Sequence, residues 1–109
     1  MTPKKIAQRV AQALFDKKAE DIAIMNINKV TDMTYYFVIC TGSSETHSRA
    51  LAREVERKIG NPWHIEGYSN AHWILLDYID AVVHIFLKPT REYYDLEHLW
   101  GDVPTERVE

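Results

Sequence analysis

Two apolar runs lie almost back to back in the chain, His72-Trp73-Ile74-Leu75-Leu76-Asp77 and Ala81-Val82-Val83-His84-Ile85-Phe86-Leu87, with only Tyr78-Ile79-Asp80 between them. Short apolar runs with β-branched and aromatic residues read as strands, and so close a spacing makes an antiparallel hairpin. Pairing about position 79 places Trp73, Leu75 and Asp77 beside Ala81, Val83 and Ile85 on one face, with Ile74, Leu76, Val82, His84 and Phe86 on the other. Both faces are apolar, so both need cover. That requirement points to a sheet with helices packed on it.

The rest of the chain supplies the layers. Thr2 can cap and Pro3 fits a first helical position, while Ile6, Val10 and Leu14 recur at spacing four with Ala7 and Ala11 beside them, so residues 3–18 read as an amphipathic helix. Residues 21–27 and 35–41 read as strands. Gly42-Ser43-Ser44 then forms a small polar turn in which either serine can cap a helix with the stripe Leu51, Val55 and Ile59. Gly60-Asn61-Pro62 stops that helix, and residues 63–68 form a short third strand. After the hairpin, Thr90 is expected to cap a last helix running to about Leu99, leaving Gly101, Asp102 and Pro104 to open a polar tail. The expected architecture is one α/β (α+β) domain over residues 1–101, a mixed sheet of about five strands flanked by helices, with residues 102–109 as a C-terminal tail.

Charge and rare residues narrow the chemistry. Residues 1–18 carry five Lys/Arg against Asp16, whereas residues 92–109 carry six Asp/Glu against Arg107. The acidic C-terminal region suits a basic protein partner better than nucleic acid phosphates. The basic residues on the first helix have no interleaved aromatics of the kind that stack on bases, so no sequence-specific nucleic acid partner is expected. Neither a signal peptide nor a membrane span is evident, so the chain is expected to be soluble and cytoplasmic. Cys40 lies inside an apolar run and reads as a small core residue.

Candidate catalytic groups do not assemble. His47, His64, His72, His84 and His98 show no tight metal-ligand spacing, and the single cysteine adds no CxxC pair, so no metal and no cofactor is expected. His84, between Val83 and Ile85, reads as a core histidine satisfied by a backbone carbonyl. Gly42-Ser43-Ser44 resembles the start of a nucleotidyl transferase site, in which strand carboxylates hold metal ions. Glu54 and Glu56, however, sit on a helix and point in separate directions, and Asp77 and Asp80 flank a turn. Tyr93, Leu96 and Trp100 are expected to share a core-facing helical stripe, with Tyr94 projecting away. Trp73, Tyr78 and Tyr94 are left as the aromatic candidates for a binding surface.

The stretch from Trp73 to Phe86, followed by Arg91-Glu92-Tyr93-Tyr94-Asp95-Leu96-Glu97-His98-Leu99-Trp100, resembles the signature half of the ribosomal silencing factor (Iojap) family. Asp21-Ile22, the run from Tyr36 to Ser44 and Ile65-Glu66-Gly67 fall in the order that family shows, so the resemblance spans roughly residues 5–100. It implies a nucleotidyltransferase-like fold without catalytic residues. It also implies a translational repressor that binds a large-subunit ribosomal protein at the intersubunit face and blocks joining of the small subunit. By position, the partner-facing residues would be Trp73, Asp77, Tyr78, Asp80, Arg91, Tyr94 and Glu97. A homodimer is a further expectation, because the sheet must have edges. The family commonly has glycine in the hairpin turn where Ile79 stands. A β-branched residue resists positive φ, so this turn is expected to adopt another geometry.

Overall fold

Thr2 lies in extended backbone and its hydroxyl accepts the Lys5 N–H at 3.2 Å, which with Pro3 in the first turn starts α1, Pro3–Asp16. The structure, a computed structural model, describes residues 1–108. β1 (Glu20–Asn26) and β2 (Tyr36–Gly42) follow, then α2 (Glu45–Ile59), whose cap is Ser44 and whose end is Gly60 at φ 107°. β3 (His64–Glu66), β4 (Trp73–Asp77) and β5 (Ala81–Leu87) complete the middle of the chain. The last elements are α3 (Lys88–Tyr94), α4 (Leu96–Leu99) and β6 (Thr105–Val108).

The strands form one mixed sheet in the order β3-β4-β5-β2-β1-β6, in which β2 and β5 are parallel and every other pair is antiparallel. A parallel pair needs a crossover, which α2, β3 and β4 supply. On one face α1 and α2 bury Val10, Leu14, Leu51 and Val55 against Val38, Ile74, Leu76, Val83 and Ile85. On the other face Leu96, Trp100 and Val103 cover Met25, Ile27, Phe37 and Ile39. The two-sided cover expected from the hairpin is thus present, but the second layer is thin.

Four expectations change. The sheet has six strands: Thr105–Val108, expected within the tail, pairs antiparallel with β1 from Ile22↔Val108 to Met25↔Thr105. Glu109, also assigned to that tail, lies outside the described residues. The hairpin register is shifted by one residue, since Asp77 pairs with Val82 and Trp73 with Phe86. Trp73, Leu75 and Asp77 therefore share a face with Val82, His84 and Phe86, because a one-residue slip turns every side chain of one strand over. The cause is a two-residue turn closed by the Tyr78 N–H on the Ala81 carbonyl at 2.9 Å. Ile79 occupies its first central position at φ 71°, the conformation its side chain was expected to resist. The Asp77 carboxylate accepts the Ile79 N–H at 2.8 Å and stabilises that geometry.

The last helix is two helices. α3 starts after Leu87, which caps with extended backbone and no side-chain bond, so Thr90 lies in the first turn and is not the cap. Asp95 then enters the left-handed region at φ 48° and ψ 53° and caps α4 by accepting the His98 N–H. Aspartate tolerates this conformation because its short side chain bonds locally. The break dissolves the expected stripe: Leu96 and Trp100 pack inward while Tyr93 is 82% exposed.

Candidate partner-binding surface

Trp73 is the first residue of β4 and lies on the face away from α1 and α2, beside Phe86 at 4.8 Å between ring centroids. Tyr94 of α3 closes on it at 4.7 Å, and Tyr93 meets Tyr94 edge-on at 5.1 Å. Trp73, Tyr93 and Tyr94 together with His72 and Pro89 line an open groove of about 460 Å³. Gly67, at φ 79°, forms its floor, and a Cβ there would run into the Trp73 carbonyl oxygen. The Trp73 backbone thus packs closely on Gly67, and its half-buried ring lies against Phe86 and Tyr94.

From inside the sheet the Trp73 indole N–H donates to His84 Nδ1 at 3.1 Å. His84 is buried as expected, but its partner is this indole and not a backbone carbonyl. Carbonyls of a central strand are already engaged in the ladder on both sides. Burial depresses the imidazole to a pKa of about 3, so it is neutral at physiological pH. Its Nε2 has no hydrogen-bond partner.

The remaining candidates occupy two other places. Tyr78 donates its phenol to the Gly60 carbonyl at 2.7 Å, and burial, with Glu56 nearby, raises its pKa to about 12. Its role is to tie the hairpin to the end of α2. Asp77 holds the turn through Ile79, and the half-buried Asp80 sits at the tip. The tip lies about six residues along β4 from Trp73, roughly 20 Å away. Trp73, Leu75 and Asp77 nonetheless form one half-buried row along the sheet face that α4 leaves uncovered. Exposed His64 and Glu66 of β3 pair with Asp77 and Leu75 and extend that row sideways.

Arg91 and Glu97 bond to each other inside the fold. Arg91, with a side chain only 11% exposed, donates from Nε to Glu97 at 2.8 Å and from a terminal nitrogen to the Thr41 hydroxyl at 2.8 Å. Arg107 of β6 reaches the other Glu97 oxygen at 2.9 Å. Burial works to raise the Glu97 pKa, but the two guanidiniums outweigh it and hold the carboxylate below its ordinary range. This network joins α3, α4, β2 and β6, so of the acidic and basic candidates here neither is free to meet a partner without breaking it. Sequence reasoning missed Thr41 and Arg107 because nothing local marks partners so far apart in the chain. Leu75, placed on the face of Trp73 and Asp77 by the sequence, was not named as a surface residue because an aliphatic side chain in an apolar run reads as core.

No arrangement for nucleotidyl transfer assembles among the described residues. Ser44 is engaged as the α2 cap, accepting the His47 N–H at 3.0 Å, and Ser43 bonds to the His47 ring. The Glu54 carboxylate is taken by Arg57 at 3.1 and 2.8 Å. Among the described residues no group of three His, Cys, Asp or Glu side chains could hold a metal ion, and no helix is long and apolar enough to cross a membrane. The Cys40 thiol is buried and pushed up to about 12 by desolvation.

Comparison with known proteins places the chain in a family. The chain is similar over 113 aligned residues to a ribosomal silencing factor of Halalkalibacterium halodurans, with 38% identity covering 100% of this chain and 97% of the relative. A crystal structure of a protein from Chromobacterium violaceum superposes with a TM-score of 0.90 at 32% identity, covering 100% of this chain and 94% of that one. A mouse protein named for mitochondrial assembly of the ribosomal large subunit is 32% identical over 94 residues, covering 80% of this chain and 41% of the mouse protein. The family described as "Ribosomal silencing factor during starvation" matches residues 1–109, and the chain belongs to that family.

Proposed function

We propose that the protein represses translation by docking on a basic protein of the large ribosomal subunit at the intersubunit face, where it blocks joining of the small subunit and performs no chemistry. The observation that carries this reading is the half-covered sheet face. Trp73, Leu75 and Asp77 are kept partly open there, and Tyr93 and Tyr94 flank Trp73 at one end. A fixed aromatic surface bordered by polar groups is the usual composition of a protein-binding site. Asp77 in the row and exposed Glu66 opposite Leu75 add carboxylates suited to a basic partner. Family membership along the whole chain supports a ribosome-associated silencing role, and the name of the mouse relative supports the large subunit as the place of action.

The test mixes purified large and small subunits with increasing protein and follows the joined fraction by light scattering. Wild-type protein is expected to hold subunits apart. Trp73→Ala, checked for folding, is expected to lose on the order of 2 kcal/mol of binding, about thirtyfold in affinity. Unhindered joining at saturating wild-type protein sinks the mechanism, and equal blocking by the folded variant sinks the surface. The mouse relative's name also favours a second reading, assistance in large-subunit assembly. That reading predicts accumulation of large-subunit precursors in cells lacking the protein, with joining of mature subunits unaffected.

A further inference from the structure

We propose that His84 is a positioning residue of the partner-binding surface, setting the plane of the Trp73 indole by accepting its N–H from inside the sheet. The inference rests on the reading that Trp73 meets the ribosomal partner. An indole nitrogen can only donate, so the Nδ1 lone pair must face it at 3.1 Å and the imidazole proton must sit on Nε2. The imidazole is itself fixed, being only 3% exposed, with Phe37 edge-on at 4.6 Å and Phe86 parallel at 6.1 Å. A rigid acceptor behind the indole and Tyr94 at 4.7 Å in front leave the Trp73 ring one orientation.

The buried Nε2 adds an independent argument. It has no hydrogen-bond partner, and an unsatisfied buried donor is a cost that leucine or phenylalanine at this position would not carry. A histidine chosen for packing alone would not leave this donor stranded. The acceptor on its other nitrogen offsets that cost only where the orientation of Trp73 matters.

The experiment measures binding of the full chain to purified large subunits by cosedimentation, alongside nitrogen NMR of the indole and imidazole groups. His84→Leu and Trp73→Phe are each expected to weaken binding about tenfold, the worth of one well-made hydrogen bond. His84→Asn, whose side-chain oxygen takes the place of Nδ1, is expected to stay within about threefold of wild type, and the double variant His84→Leu with Trp73→Phe to bind no worse than Trp73→Phe alone. The wild-type imidazole should carry its proton on Nε2. Wild-type binding by His84→Leu alongside weakened Trp73→Ala overturns the positioning role and leaves the surface standing. If Trp73→Ala also binds normally, the surface itself is wrong and the proposal goes with it. Additive losses in the double variant, or a proton on Nδ1, overturn the role too, and the NMR result holds even if His84→Leu fails to fold.

Discussion

Ile79 keeps φ at 71° and is 59% exposed, so the burial it gains is small against the cost of a β-branched residue in that region. Left-handed backbone costs an L-residue about 1–2 kcal/mol, and glycine returns part of that gain through its looser unfolded chain. Ile79→Gly is therefore expected to raise stability by up to about 1 kcal/mol, read as a higher urea midpoint with unchanged slope. His84 makes the opposite kind of demand. Its native pKa of about 3 lies far below the ordinary 6.5, so between those values the unfolded chain takes a proton that the native protein refuses. Stability from this group is complete above about pH 6.5 and is lost as pH falls toward 3, with a slope of up to about 1.4 kcal/mol per unit. Urea midpoints of wild type and His84→Leu should accordingly shift in favour of the variant on going from neutral pH to about pH 5. Parallel pH profiles would show that His84 is not neutral and buried as described.

Among the elements, β4 and β5 carry the sheet, because each buries one row against the helices while β5 also buries its second row and β4 leaves its own half-buried. Ile74 and Val83 face α1 and α2 with no exposure. Ile74→Ala is expected to cost roughly 2–4 kcal/mol and Val83→Ala somewhat less, from lost burial and the cavity left behind. Wild-type denaturation midpoints in both variants would misplace the hairpin. The break at Asp95 has the larger functional consequence. By ending α3 at Tyr94 it turns Tyr93 to solvent and lets Leu96 and Trp100 cover the β1 and β2 end of the second face. A continuous helix would have carried those aromatics in a single stripe and left no opening beside Trp73.

Taken as a whole, the molecule has two sheet edges of different character. β6 offers Glu106 and Arg107 and is short, a protected edge. β3 is also short, but Trp63 next to it is 73% exposed and Ile65 on it is partly exposed. A homodimer is expected to form along β3, where pairing would cover both. Light scattering in the micromolar range should then give a dimer mass that Trp63→Lys reduces to a monomer. A monomer mass for the wild-type chain removes the proposal. Dimerisation along β3 would place a second copy next to the row Trp73, Leu75 and Asp77, because β3 pairs with β4.

What the amino-acid order determined by itself is everything that depends on near neighbours. Thr2 with Pro3, Ser44, and Gly60 marked the ends of α1 and α2 through hydrogen bonds and backbone freedom that act within a few residues. Alternation and apolar runs marked five of the six strands, and the run at residues 72–87 was enough to require cover on both faces. The sixth strand, Thr105–Val108, was not legible, because three exposed polar residues and a single valine become a strand only when β1 offers its free edge. Which row of β4 shares a face with which row of β5 also escaped, since the register depended on whether Ile79 would take positive φ, a geometry that the Asp77 carboxylate stabilises by accepting the Ile79 N–H. The candidate site divided in the same way. Trp73 and Tyr94 could be named from residue type, whereas the Trp73–His84 bond and the joining of Arg91, Glu97, Arg107 and Thr41 required the completed fold. Short-range geometry is encoded where it acts, but a contact between distant residues exists only after the chain has closed the loops between them.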